Sequence, residues 1–90
     1  MKVFVNTFGT DIRLRQEVSV EPVSSTLPEV LKALRNRHPA ELKRFITDDL
    51  SPAEGSAILV NGRNILSLDG RDTEIHDGDE LTFTVQVAGG

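Results

Sequence analysis

Thr26-Leu27-Pro28-Glu29-Val30-Leu31-Lys32-Ala33-Leu34-Arg35-Asn36-Arg37 is the stretch on which the fold turns. Leu27, Val30, Leu31 and Leu34 recur at the spacing of one buried helical stripe. Thr26 and Glu29 fit a capping box, in which a hydroxyl and a carboxylate satisfy free amides at the helix start. Pro28 is tolerated there, because first-turn amides have no partner inside the helix. Pro39 pushes His38 out of helical geometry, so the spacing predicts a helix ending near Arg37.

On the N-terminal side lie two strand patterns. Residues 2–8 are rich in β-branched and aromatic types, with Val3 and Val5 on one face and Phe4 on the other. Residues 12–20 alternate, with Ile12, Leu14, Val18 and Val20 inward and Gln16 as the single break. Gly9-Thr10-Asp11 carries turn chemistry between them, so the pair reads as an antiparallel hairpin.

On the C-terminal side a second, shorter helix is expected over 40–46, with Leu42, Phe45 and Ile46 inward. Loop composition fills 47–56. Ala57-Ile58-Leu59-Val60 then runs into Asn61-Gly62, a strong two-residue hairpin signal, and Arg63-Asn64-Ile65 returns as a small strand. Asp69-Gly70 marks another turn, and Asp77-Gly78-Asp79 precedes a strand over 81–87 with one apolar face. A helix between a first hairpin and later strands must cover the apolar face of their sheet. The expected class is α+β and β-grasp-like, with a mixed sheet of four to five strands on one main helix. Residues 1–87 read as a single domain, and 88–90 as a tail.

Composition narrows the function. The chain has 90 residues, a net charge of −4 and no cysteine, which removes disulfides and thiolate metal sites. Lys and Arg are scattered, whereas nucleic-acid affinity needs concentrated positive charge, so nucleic acid is not an expected partner. No apolar run approaches a membrane span, and a cytoplasmic protein is expected. His38 and His76 read as surface or boundary histidines without a partner for metal binding or nucleophile activation. Asp77, Asp79 and Glu80 lack the spacing of a calcium loop and read as a solvated turn. No metal site is expected.

The end of the chain is different. A strand pattern runs through Val87 and Ala88 into Gly89-Gly90, with no charged residue between. Without Cβ atoms such a tail is thin enough to thread a narrow channel. Extended from Val87 to Gly90, it reaches about 13 Å at ~3.3 Å per residue. An ionised carboxylate is inert as an acyl donor, and becomes one only when a partner converts it to a mixed anhydride with a nucleotide. An idle, frayed glycine end is the plain alternative.

These stretches together resemble the MoaD/ThiS family of ubiquitin-like sulfur carrier proteins. The likeness covers 1–8, the helix 26–37, His38-Pro39, Val60-Asn61-Gly62, and Ile75-His76-Asp77-Gly78-Asp79-Glu80-Leu81 ending in Val87-Ala88-Gly89-Gly90. The resemblance implies a β-grasp fold and adenylation of Gly90 by an E1-like enzyme. That enzyme uses ATP, and the carrier itself binds no cofactor. A sulfur donor then gives a thiocarboxylate, with Gly89 keeping the tail narrow and Val87 and Ala88 contacting the partner. Phe4 is a candidate partner contact, and a synthase large subunit is a further implied partner. The stretch before the tail lacks the prolines usual in molybdopterin-synthase small subunits and looks closer to thiamine-type carriers. The insertion at 38–57, in contrast, resembles molybdopterin or cysteine-pathway carriers, so the sulfur acceptor stays open. A protein modifier joined to lysine through Gly90 and a plain β-grasp interaction module are the competing functions.

Overall fold

The computed structural model describes residues 1–8, 15–21 and 24–85. Strand β1 (Lys2–Phe8) pairs antiparallel with β2 (Arg15–Ser19), Val3 facing Val18, as the hairpin pattern requires. The expected turn at Gly9-Thr10-Asp11 and the inward Ile12 and Leu14 lie outside the described residues.

On its other side β1 runs parallel to β7 (Glu80–Val85), with Val5 opposite Leu81. Strand β4 (Ser56–Val60) lies antiparallel to β7, and β5 (Arg63–Asn64) closes the far edge. The five strands run β2-β1-β7-β4-β5. Between β4 and β5, Asn61 (φ 52°) and Gly62 (φ 83°) both take positive φ, the geometry that an Asn-Gly hairpin turn demands.

Helix α1 (Leu27–Arg37) covers one face of this sheet. Its stripe of Leu27, Val30, Leu31 and Leu34 is buried in one core with Val3, Val5, Val18, Ile58, Leu81 and Phe83. The capping box, however, does not form. Thr26 occupies the N-cap position, but its side chain makes no capping hydrogen bond. The Leu27 amide donates instead to the Thr73 carbonyl at 2.9 Å, and Pro28 has no amide to satisfy. The residue that accepts from Leu27 lies just before a distant strand.

That strand belongs to a small second sheet, in which β3 (Ser24–Thr26) pairs antiparallel with β6 (Glu74–His76). The expected second helix is short. Helix α2 spans Pro39–Leu42, then a turn carries Phe45 and Ile46 inward, and Ile46 bridges to Pro52. Ile65 opens a 3-10 turn rather than extending β5, because the Asn64 side chain accepts from the Leu66 amide. Along β7, Leu81 and Phe83 are buried as expected, but Thr82 is buried too and Val85 is 40% exposed. Thr82 lies between Asn6 and Leu59 on the central strand, and these lateral neighbours shield its small side chain on the outer face.

The 77–79 turn locks the register of the central strands. The Lys2 amide donates to Asp77 Oδ1 at 2.7 Å, and the Gly78 amide donates to the Lys2 carbonyl at 2.7 Å. Asp79 Oδ1 accepts from Asn61 Nδ2 at 3.0 Å and its Oδ2 from the His76 amide at 2.8 Å. Gly78 sits at φ 88°, where an L side chain is strained. Gly78→Ala is therefore expected to cost about 1–2 kcal/mol. Thermal unfolding should show a melting temperature lowered by roughly 4–15 °C.

Candidate docking face and C-terminal tail

Alternation places Lys2, Phe4, Asn6 and Phe8 on the sheet face opposite α1. Phe4 is 44% exposed and Phe8 48%, whereas Val3 and Val5 beneath them are fully buried. The register brings Glu17 and Glu80 beside Phe4, and Thr84 beside Phe8. Leu59 and Ala57 continue the same face across β4, opposite Thr82 and Thr84. The Lys2–Glu17 ion pair on the rim, at 3.5 Å, joins two well-exposed side chains and adds little stability. The result is an apolar patch with an acidic edge on an otherwise polar sheet face.

Phe4 thus stands where the sequence placed it. Phe8 was missed, although the period-2 pattern that exposes Phe4 exposes Phe8 as well. Gly90, Gly89, Val87 and Ala88 lie outside the described residues. The chain continues past Val85 from the end of the sheet marked by Ser56 and, through Thr84, by Phe8.

The remaining chemistry is structural. Asp77 and Asp79 accept from backbone amides, and Asp79 also from Asn61, so their carboxylates organise the turn. His38 ends α1 by donating its amide to the Leu34 carbonyl, with its ring 4.0 Å from Glu41. Among the described residues no group of three or more His, Cys, Asp or Glu side chains is arranged to hold a metal. No helix among them is long and apolar enough to cross a membrane.

The family model described as the ThiS family matches residues 5–90, from within β1 to Gly90. The chain belongs to the ThiS family. A candidate sulfur carrier protein of Archaeoglobus fulgidus is 27% identical over 74 residues, covering 82% of this chain and 84% of that one. Among solved structures, SAMP1 from Haloferax volcanii superposes with a TM-score of 0.74 at 25% identity, covering 100% of both chains. A chain of the Amycolatopsis orientalis BexX/CysO complex gives a TM-score of 0.60 at 27% identity, covering 82% of this chain and 80% of that one. With its mixed five-stranded sheet on one main helix, this ThiS-family chain has the ubiquitin-like β-grasp fold.

Proposed function

We propose that this protein is a sulfur carrier whose working group is the carboxylate of Gly90. The observation that carries the reading is the ThiS-family match running through to Gly90. An E1-like enzyme adenylates that carboxylate: its oxygen bonds to the α-phosphorus of ATP, and pyrophosphate leaves. A sulfide-equivalent donor then attacks the acyl carbon and displaces AMP, which leaves a thiocarboxylate for transfer to a cofactor or metabolite precursor. The protein catalyses nothing itself. It is the macromolecular substrate of its activating partner, which alone uses ATP. Phe4, with Phe8 beside it, docks on that partner. Val87, Ala88 and Gly89 carry Gly90 into the partner's active site.

A second reading, joining of Gly90 to a lysine amine of another protein, is favoured by the likeness to a small archaeal modifier protein. Both readings begin with the same adenylate and part only at the acceptor.

The test is the intact mass of the protein after incubation with ATP, a sulfur donor and the activating enzyme of its host. A mass increase matching replacement of one oxygen by sulfur, located at Gly90, supports the carrier reading. Protein that stays unmodified in that mixture would sink it. Lysine adducts bearing a Gly-Gly remnant would favour the modifier. In the same assay Phe4→Asp should slow charging on the order of tenfold, the equivalent of ~1.4 kcal/mol of lost docking contact.

A further inference from the structure

Strand β2 is the outermost of the five, so one of its edges faces no other strand. The phase of its backbone follows from bonds on either side of β1. The Val20 amide donates to the Met1 carbonyl at 2.8 Å, and the Met1 ammonium donates to the Val20 carbonyl at 2.7 Å. Phe4, which stands opposite Glu17, turns its amide away from β2, to the Asp79 carbonyl at 2.9 Å. Backbone groups alternate in direction along an antiparallel strand. Gln16 and Val18 therefore bond to β1, whereas Arg15, Glu17 and Ser19 present their N–H and C=O groups to the open edge. Among the described residues these outward groups have no hydrogen-bond partner.

Such an edge is a template for another strand, and like charges along it usually discourage pairing. The charges of β2 favour one partner instead. A copy related by a two-fold axis must set outward residues opposite outward residues. Centring the axis on Arg15 or on Glu17 places that residue against its own like charge, which repels. Centring it on Val18 pairs Glu17 only with Ser19 inside the strand. Centring it on Gln16 sets Arg15 opposite Glu17 of the second copy, and Glu17 opposite Arg15 of the second copy.

Gln16 is the second observation. It stands on the inward side of β2, where it breaks the apolar set, yet it is exposed, as are Arg15 and Glu17. On the axis it would meet Gln16 of the second copy at a position without backbone bonds, where facing side chains come closest. Two side-chain amides can each donate and accept there. An apolar residue at the same place would be left uncovered in the single chain.

We propose that this protein pairs with a second copy of itself along β2, with Gln16 facing Gln16 on a two-fold axis perpendicular to the sheet. Arg15 and Glu17 exchange about four backbone hydrogen bonds with the second copy, two for each bonded pair. Glu17 keeps Lys2 at 3.5 Å and gains Arg15 of the second copy. The two five-stranded sheets become one, with both α1 helices on one face and both Phe4 side chains on the other. The two β7 strands run in opposite directions and neither touches the contact, because β1 stands between β7 and β2. The pairing does not depend on what Gly90 carries. A contact this short buries well under the ~1,200 Å² of stable complexes, so a weak dimer is expected, with a dissociation constant on the order of 0.1–1 mM.

The experiment is sedimentation equilibrium of the full chain from about 20 μM to ~2 mM, a range that brackets that constant. Amide hydrogen exchange is followed at both ends of the range. A monomer–dimer equilibrium is expected, with exchange at the Arg15 and Glu17 amides slowing as the dimer fills. Arg15→Glu and Glu17→Arg each set like charges opposite one another at two symmetric places, and each should weaken the dimer about tenfold or more. The double exchange, Arg15→Glu with Glu17→Arg, restores both pairs and should recover the parent affinity to within about threefold. Because the chain has no cysteine, Gln16→Cys places a single thiol on the axis. On oxidation it should form a disulfide-linked dimer at least about tenfold faster than Ser19→Cys, whose thiols lie off the axis. A chain that stays monomeric at the highest concentration would overturn the proposal. So would a dimer that neither single reversal weakens, a double exchange that recovers nothing, or equal crosslinking at the two cysteine positions.

Discussion

Deletion of Gly89 and Gly90 is expected to abolish adenylation and thiocarboxylate formation completely while leaving the fold intact. The proposed reaction needs a carboxylate at the end of a thin tail. Without its last two residues the chain would present the carboxylate of Ala88, about 7 Å short of its place at ~3.3 Å per residue. Were Ala88 drawn forward to make up that distance, its methyl group would stand where glycine leaves the channel free. Either reach or width fails, so no residual activity is expected by ATP–pyrophosphate exchange or by intact mass. Stability tells the other half. The buried core ends with Phe83 on β7, so the deletion should change unfolding free energy by no more than about 0.5 kcal/mol. A deleted protein that still charges with sulfur would remove Gly90 from the mechanism.

Phe83→Ala is expected to have the largest effect on stability. Phe83 is fully buried on the central strand β7, with Thr7 opposite on β1 and Ile58 opposite on β4. Its ring also meets that of Phe45, with centroids 6.0 Å apart and planes tilted by 48°. Truncation therefore opens a cavity in the sheet and removes the aromatic contact that ties the segment after α2 to it. Buried phenylalanine truncations cost about 3–5 kcal/mol. A domain of this length has roughly 5–13 kcal/mol in total. The variant should melt at least about 12 °C below the parent and show a far lower urea midpoint. A loss under about 1 kcal/mol would show that the core is not packed as described.

What could be seen in the sequence follows from the range of each interaction. The β1 alternation, the α1 stripe and the Asn61-Gly62 turn are local patterns, written in residues a few positions apart, and each appears in the structure where its pattern lies. The β3–β6 sheet was not legible. Ser24-Ser25-Thr26 is short and polar, and Thr26 already carried a helix-cap signal that hid its pairing with Glu74. The capping box was a false inference of the same origin, since Thr26 is held in that pairing and its side chain makes no capping hydrogen bond.

Long-range clamps were equally hidden. Arg71 donates to the carbonyls of Asp49 and Leu50 at 2.7 and 3.3 Å and to Ser51 Oγ at 2.5 Å, and Arg35 reaches Asp48 at 2.6 Å. These two side chains hold a loop that reads from composition only as irregular. Of the candidate docking face, Phe4 was legible from period 2, and Phe8 should have been.

The parallel pairing of β1 with β7 has a consequence for synthesis. Val5 waits for Leu81, a partner 76 positions later, before the middle of the sheet can exist. At about 5–20 residues per second, a ribosome takes roughly 4–15 s to supply it. Until then β1 and β2 can form only a hairpin with one open, apolar edge, a natural target for chaperones and for mispairing. Closure of that edge therefore waits until β7 has been made. A nascent chain is thereby kept from a native sheet until its central strand has been made.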